Sequence, residues 1–274
     1  MKVSLELIRS RRSARTFDDR GLSEVHMKQL REYMVDIPNP YGIPVVFRLL
    51  DAKQHGLNSP VLNRAETYVA AKVKRVPHAE EAYGYSFETL VLFAQSLGIG
   101  TVWIGGTMNR PAFEKTMELA PDEMMPCVSP LGYAAKKMSL RETMMRKGVK
   151  ADWREDAGSV FFDGSFDTPL PEEKAGSFRE ALEAVRWAPS AVNRQPWRVV
   201  IAGEKAHFYE KKTKGYVSDA TGDLQKIDVG IAICHFDLMC RAAGETPVLT
   251  IDDPGIRAEE DTEYIATYDC GSYA

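Results

Sequence analysis

The chain carries the same order of local patterns twice. Leu30 to Ala52 and Leu182 to Gly203 each combine a helical stretch, a loop that ends in proline, and an apolar strand. Ser86 to Gly98 aligns with Ala232 to Gly244, and both have the pattern of long, mostly apolar helices that stop at a glycine. A repeat of this length predicts two similar halves that pack against each other through these helices.

Short strands alternate with long helices, which predicts an α+β fold of two half-repeats forming a pseudo-dimer around the central helices. We place the halves at residues 1–150 and 151–274. Ser23, and Ser177 with a glutamate three residues later, are typical of helix N-caps. The charged segment 136–176 suits a crossover that wraps the neighbouring half better than a packed element. The predicted strands span about 45–51, 68–74, 126–133, 197–202, 206–210, 246–251 and 264–269.

The charge of the chain narrows the partners that it can bind. Its 274 residues carry a formal net charge of -4, with a pI near 5.8, so no basic field attracts a nucleic-acid backbone or an anionic membrane. No apolar run approaches the roughly 18 residues that cross a bilayer, and the N-terminus lacks the apolar region of a signal peptide. We therefore expect a cytoplasmic protein that binds neither nucleic acid nor membrane.

The cysteines, at positions 127, 234, 240 and 270, show no metal-ligand spacing. We expect buried free thiols and no metal. Cys234 and His235 could be a catalytic pair, but neighbours on a helix point in different directions, which disfavours that role. The histidines and methionines are expected to be surface or packing residues, with His235 as core filler.

Five residues near the start, Arg11-Arg12-Ser13-Ala14-Arg15, concentrate groups that bind anions. Planar guanidinium forks and a serine hydroxyl supply several charge-assisted hydrogen bonds in a short span. A phosphate or carboxylate fits such a cluster. The alternative is a solvated basic turn after a short helix, and the spacing alone leaves both interpretations open.

A second motif, Ala188 to Trp197 (APSAVNRQPW), predicts a loop rich in polar groups. Pro189 ends the preceding helix, and Ser190 and Asn193 offer hydroxyl and amide groups. Loops of this kind often bind a ligand, although Ser and Asn can also satisfy helix-end carbonyls. Together with the arginine motif, the loop suggests a nucleotide-like cofactor.

A third motif, Leu97 to Gly106 (LGIGTVWIGG), is predicted to end a helix, continue as a strand and finish on two glycines. Paired glycines at a strand end let backbone N–H groups approach a planar ligand closely. The segment lacks the complete glycine pattern of a Rossmann site and opens no helix, so we reject a dinucleotide site of that type.

These motifs resemble those of the nitroreductase family of flavin enzymes. RRSARTF is similar to the family's RRSxRxF opening, APSAVNRQPW to its APSxxNxQPW loop, and LGIGTVWIGG to its LGLGTxWIGG segment. Pro130 to Tyr133 is similar to the later LGY strand. The family usually places the APSxxN loop between the first and third motifs, where Ile37 to Pro44 departs from the pattern.

With the duplication, the resemblance implies two subunits of a homodimeric flavin enzyme fused into one chain, similar to tandem single-chain nitroreductases of bacteria. The family's FMN lies at the subunit interface, so the first half would supply the phosphate motif and the second half the loop. One complete FMN site per chain is implied. The mirror site, built from Ile37–Pro44 and Gly244–Leu249, should be empty, and the chain should be a monomer that is internally a pseudo-dimer.

The resemblance assigns thirteen residues to the cofactor site. The opening motif would bind the phosphate, the ribityl chain and the pyrimidine edge, the glycine N–H groups would face flavin N5, and the loop would cover the ring. A basic pair after the LGY strand would also meet the phosphate, with Arg141 as the weaker match. The residues are Arg11, Arg12, Ser13, Arg15, Trp103, Ile104, Gly105, Gly106, Arg146, Lys147, Pro189, Ser190 and Asn193.

The resemblance also implies the reaction. NAD(P)H would pass hydride to flavin N5, and a small-molecule oxidant such as a nitroaromatic or quinone would then accept it, with no catalytic side chain required. One alternative is an FMN-binding storage or sensing module without turnover. Another is a structural fusion that binds no ligand.

Overall fold

The computed structural model describes residues 1–271. Ser23 caps the second helix by accepting a hydrogen bond from the N–H of His26, as the sequence predicts. Up to residue 131, the elements are α1 (Leu5–Ser10), α2 (Glu24–Tyr33), β1 (Val45–Asp51), α3 (Ala52–His55), β2 (Thr67–Lys74), α4 (Ala79–Ser96), α5 (Arg110–Thr116), β3 (Glu123–Met124) and β4 (Val128–Leu131).

The remainder of the described chain starts with helices and ends on a long strand. Its elements are α6 (Leu140–Gly148), α7 (Ala157–Val160), β5 (Phe161–Asp163), a 3₁₀ helix (Glu172–Phe178), α8 (Arg179–Arg186), a 3₁₀ turn (Ala191–Asn193), β6 (Trp197–Ala202), β7 (Lys205–Lys211), β8 (Val217–Ser218), β9 (Gly222–Asp223), α9 (Leu224–Ala242), β10 (Val248–Thr250) and β11 (Thr262–Asp269).

Two sheets share a common pairing. In the first sheet, β2 pairs antiparallel with β1 on one side and with β3 and β4 on the other. The second sheet has the order β10-β11-β7-β6-β5, and β5 runs parallel to β6. The set β1-β2-β4 thus corresponds to β6-β7-β11, which is the order expected of a two-part α+β fold.

The helices α4 and α9 cross at a pair of equivalent glycines. A Cβ built on Gly84 would lie 2.2 Å from the carbonyl oxygen of Ile227, and one on Gly230 would lie 2.3 Å from that of Glu81. Extending the alignment of the two helices back along the chain pairs Gly84 with Gly230 and Glu81 with Ile227. The two contacts are therefore related by an approximate two-fold axis, as in an isologous interface.

The predicted strand within LGIGTVWIGG is wrong. Gly98 ends α4 with φ +73°, as expected of a left-handed C-terminal residue, but the residues beyond it form no regular strand. They are held by isolated bridges, from Gly100 to Gly132 and from Ile104 to Val128. The segment is extended, yet it belongs to neither ladder.

Two other expectations need correction. Ser177 does not cap α8, because Gly176 turns the chain with φ +52° and the preceding 3₁₀ helix continues to Phe178. The segment 136–176 carries regular elements, including α6 and β5, of which α6 buries only Glu142 and β5 pairs with β6 inside the second sheet.

The cysteine prediction holds for three of its four positions. Those at 127, 234 and 240 are buried, whereas Cys270 is partly exposed because it directly follows β11 at the edge of the molecule. Within residues 1–271, none of the helices is long and apolar enough to span a membrane.

Candidate functional site

Arginine side chains from both parts of the chain converge beside α4. Burial lowers the pKa of Arg11, the carboxylate of Glu88 opposes this, and the charge of Arg146 lowers the pKa further. Burial likewise lowers the pKa of Arg154 to about 10, and the charges of Arg11, Arg186 and Arg146 add to that effect. These four guanidinium groups form what we call the arginine cluster. Arg146 is paired with Asp152 at 2.5 Å and Arg186 with Glu183 at 2.9 Å, so the charge left for a ligand comes mainly from Arg11 and Arg154.

Several N–H groups at the cluster have no acceptor among residues 1–271. They are Nε and Nη1 of Arg11, Nε of Arg154 and Nε of the neighbouring Arg15, and all are shielded from solvent. Arg11 is only 9% exposed, and its Nε lies 3.8 Å from Oε1 of Glu88, beyond hydrogen-bonding distance. Buried donors without acceptors are costly. A bound anion would satisfy them.

The predicted loop holds the segment that carries Arg154. Nδ2 of Asn193 donates to the carbonyl oxygens of Lys150 at 2.9 Å and Trp153 at 3.0 Å. The guanidinium of Arg154 also lies over the ring of Trp187, 4.8 Å from its centroid. Asn193 therefore acts on the arginine cluster indirectly, by fixing the backbone from which Arg154 extends.

The loop itself has a constrained backbone. Val192, Asn193 and Gln195 have φ values of +44°, +60° and +51°, a region that non-glycine residues adopt at a cost. Oγ of Ser190 accepts a hydrogen bond from the N–H of Gln195 at 2.9 Å, and the carboxylate of Asp228 on α9 accepts from the N–H that follows Ser190. These bonds keep the loop in one conformation.

A buried carboxylate connects the first and third motifs to α9. Oε2 of Glu88 accepts from Nε1 of Trp103 at 2.9 Å, and Oε1 lies 3.0 Å from Nε2 of His235. Glu88 and His235 are both 0% exposed. Because Nδ1 of His235 faces the carbonyl oxygen of Ala184 at 2.9 Å, that nitrogen carries hydrogen. His235 is thus part of a polar network, not core filler.

The turn at Gly105 and Gly106, which we call the glycine turn, has open space beside Gly106 and close contacts beside Gly105. A Cβ built on Gly106 meets no atom of the described chain within 4 Å, whereas one on Gly105 would lie 3.3 Å from Sγ of Cys127. Arg110 braces the turn by donating to the carbonyl oxygens of Gly105 at 2.8 Å and Met125 at 2.7 Å. Neither glycine N–H donates to an acceptor within residues 1–271, which leaves both free for a ligand.

The structure does not bring every predicted residue into the arginine cluster. Arg12 and Lys147 are exposed, and Arg141 points to the carbonyl oxygen of Pro60. Ile104 is 3% exposed and pairs with Val128 through both its N–H and its carbonyl group. Ser13 and Pro189 are half-buried.

The sequence analysis missed Glu88, Arg154 and Arg186. The sequence does carry a signal for Glu88, because an acidic residue within an apolar helix is unusual and is rarely buried unless it is paired. Arg154 and Arg186 lie in segments with many charges, where nothing in the spacing separates a buried arginine from a solvated one.

The fold and the site together define the class. A two-part α+β architecture, central helices that cross at equivalent glycines, and a cationic site shared between the parts match the nitroreductase class. A family model described as "Putative TM nitroreductase" matches residues 4–240, and the chain belongs to that family. The predicted family and fold are confirmed.

One solved structure of similar length supports the fold, and two others are similar to about half of the chain. A "putative nitroreductase" from Thermotoga maritima MSB8 is similar with a TM-score of 0.62 and 20% identity, covering 98% of this chain and 95% of that one. An FMN-dependent nitroreductase from Clostridium difficile R20291 has a TM-score of 0.42 and 15% identity, covering 50% of this chain and 90% of its own. Iodotyrosine deiodinase bound to FMN and 3-iodo-L-tyrosine has a TM-score of 0.41 and 15% identity, with coverages of 50% and 92%. A search of curated protein sequences finds no significant match.

Proposed function

We propose that this protein is an FMN-dependent oxidoreductase that takes hydride from NAD(P)H and passes it to a small oxidant such as a nitroaromatic or a quinone. The observation that carries the proposal is the set of buried arginine N–H groups without acceptors. A phosphate supplies several acceptor oxygens and negative charge, and each charged hydrogen bond contributes about 1.5–3 kcal/mol.

The residues fit the phosphate end of FMN. Arg11 and Arg15 come from the opening motif, Arg146 from α6, and Arg154 from the segment that Asn193 holds. The charge of Arg146 lowers the pKa of both Arg11 and Arg15, after burial and against nearby carboxylates. A phosphate among these groups would neutralise charge that is otherwise mutually repulsive.

The glycine turn fits the ring end. The N–H groups of Gly105 and Gly106 are free, and Arg110 holds the turn from behind. When bound, FMN supplies the hydride chemistry. The arginines would hold the phosphate, the glycine N–H groups would donate to the ring, and the loop with Ser190 and Asn193 would limit access of water.

We further propose one such site per chain, in a monomer. The helices α4 and α9 already bury each other at the crossing glycines, and this contact takes the place of a subunit interface. A division near residue 150 would fall between β4, the last strand of the first sheet, and β5, the first strand of the second. Light scattering of the purified protein should give the mass of a single chain.

The test is the visible spectrum of the purified protein before and after anaerobic NADH or NADPH. About one oxidised flavin per chain that bleaches with the nucleotide, and returns to the oxidised spectrum when a quinone is added, supports the proposal. Bound flavin that stays oxidised would replace it with a binding module. A colourless protein that FMN cannot reconstitute would overturn it.

A further inference from the structure

We propose that Cys240, Glu245 and Cys270 form a binding site for a thiophilic divalent cation such as Zn²⁺. The two sulfur atoms and a carboxylate oxygen of Glu245 all lie within 4.8 Å of one another. Ligand atoms around a tetrahedral zinc are about 3.5–4 Å apart, given metal–sulfur distances of about 2.3 Å and metal–oxygen distances of about 2.0–2.2 Å. Small side-chain rotations bring the three groups to that spacing.

Backbone hydrogen bonds hold the ligands in place. Cys240 lies in the last turn of α9, and its carbonyl oxygen accepts a hydrogen bond from the N–H of Glu245 at 3.1 Å. Cys270 directly follows β11, and its N–H donates to the carbonyl oxygen of Glu204 at 3.1 Å. Three chain segments are thus fixed around one point before any metal binds, which lowers the ordering cost of binding.

The buried carboxylate of Glu245 gives independent support for a cation at this place. Its Oε2 is shielded from solvent and has no hydrogen-bond partner within residues 1–271, so a cation would satisfy an oxygen that is otherwise costly to bury. Two sulfur ligands favour a soft or borderline metal over Mg²⁺ or Ca²⁺.

A cavity gives the metal access and a fourth ligand. The cavity has a volume of about 630 Å³, and Glu245 and Cys270 lie in its wall. A water molecule from this side would complete four-coordinate geometry. Cys240, at 2% exposure, closes the opposite side.

Binding of the metal ion releases the protons of the two thiols. Two thiols lose their protons as two metal–sulfur bonds form, and the carboxylate adds the third bond. The site then carries a net charge of -1, and Lys174 and Glu204 line the same cavity. A metal here would tie the end of β11 to α9, at a place separate from the arginine cluster.

The experiment is an anaerobic titration of the reduced full-length chain with Cd²⁺, followed by the ultraviolet thiolate-to-metal absorption band. We expect one Cd²⁺ per chain and displacement of Cd²⁺ by Zn²⁺. C240S and C270S should each lose the band. C234S removes a buried thiol from the same helix but outside the site, so it should keep the band unchanged.

A further variant separates the carboxylate from the sulfurs. E245Q should retain the band, because the sulfurs produce it, while binding Cd²⁺ more weakly. If C240S does not fold, the partly exposed Cys270 carries the test through C270S. Reduced wild-type protein without a one-to-one band, or a C270S band equal to that of wild type, would overturn the proposal. So would a Cys240–Cys270 disulfide whose reduction creates no metal binding.

Discussion

The two equivalent ends of the α4–α9 contact differ in chemistry although they share their packing. The alignment that pairs Gly84 with Gly230 also pairs Glu88 with Cys234 and Thr89 with His235. At one end Glu88 meets His235 at 3.0 Å, and at the other Oγ1 of Thr89 meets Sγ of Cys234 at 3.3 Å. The first pair joins a carboxyl group to an imidazole, whereas the second joins a hydroxyl group to a thiol.

A second pair repeats the difference. The hydroxyl of Tyr85 donates to Oδ2 of Asp237 at 2.5 Å, while the aligned positions hold Ile231 and Val91. Burying a charge is costly unless it is paired and hydrogen-bonded. The repeat therefore preserves the shape of the helix contact, whereas its polar pairs differ between the two ends, and at one end Trp103 also donates to Glu88.

The largest effect is expected from E88A compared with C234A, at aligned positions. E88A leaves His235 and Trp103 without their buried hydrogen-bond partner, and each buried polar group left unpaired typically costs about 1–3 kcal/mol. C234A removes a thiol with a weak hydrogen bond and should cost about 1 kcal/mol. Urea unfolding of both variants measures the two values. Equal losses would mean that the two ends are energetically alike.

The next largest effect is expected on FMN binding, from R11A compared with R12A. Arg11 is buried in the arginine cluster and Arg12 is exposed beside it. Losing two charged hydrogen bonds of about 1.5 kcal/mol each would weaken FMN binding roughly 100-fold, whereas R12A should change it less than threefold, since exposed charges contribute up to about 0.6 kcal/mol here. Titration of flavin-free protein with FMN gives both dissociation constants. Equal weakening by the two variants would contradict the assigned positions.

The two sheets should differ in their response to pH. Burial raises the pKa of Glu210 on β7 to about 8, and the charge of Asp223 adds to this. On the first sheet, a hydrogen bond from Lys72 and one from the N–H of Ala120 lower the pKa of Glu123. Folded Glu210 keeps its proton between about pH 4.5 and pH 8, while unfolded Glu210 has lost it.

Unfolding therefore releases a proton in that range, so the contribution of Glu210 to the free energy of unfolding falls as pH rises, by up to about 1.4 kcal/mol per unit. E210Q should remove this slope. E123Q should cost the same at every pH from 6 to 8, because Glu123 is ionised in both states there. Unfolding at a series of pH values checks both, and an unchanged slope in E210Q would refute the assignment.

The smallest effect is expected from N193A compared with N39A. Asn193 holds the segment of Arg154, whereas Asn39 donates to the carbonyl oxygen of Ile43 in its own loop and to Oγ of Ser86 on α4, away from the arginine cluster. Losing these bonds should cost each variant about 1 kcal/mol of stability. Only N193A should also weaken FMN binding, by roughly tenfold or less. Flavin affinity in N39A should match wild type, and a loss there would indicate a second functional site.

Sequence patterns predicted the elements that depend on local chemistry. The bounds of β1 and β6 match their predictions, and Ser23 caps α2, because apolar strand runs after proline and helix capping act over a few residues. The N-cap at Ser177 failed because Gly176 adopts a left-handed turn that the residue pattern does not reveal. Strands of two or three residues, such as β3 and β5, are too short to show a period.

The residues of the candidate site also fall into those that a local motif predicts and those that it does not. Arg11 was found because it belongs to a motif, and the role of Asn193 was expected to be direct contact, which stays a prediction. Arg154 was missed because its importance comes from Arg11, Arg146 and Arg186, which tertiary structure alone brings near it. Buried charge clusters of this kind are assembled from distant segments and leave no local pattern.

The crossing glycines have a consequence for variation. In a symmetric pair of identical chains, one substitution changes both copies of a contact at once. Gly84 and Gly230 occupy one chain, so each can change alone, and so can every residue that shares their alignment. Independent positions of this kind allow one side of a duplicated protein to specialise while the other keeps the shape that both require.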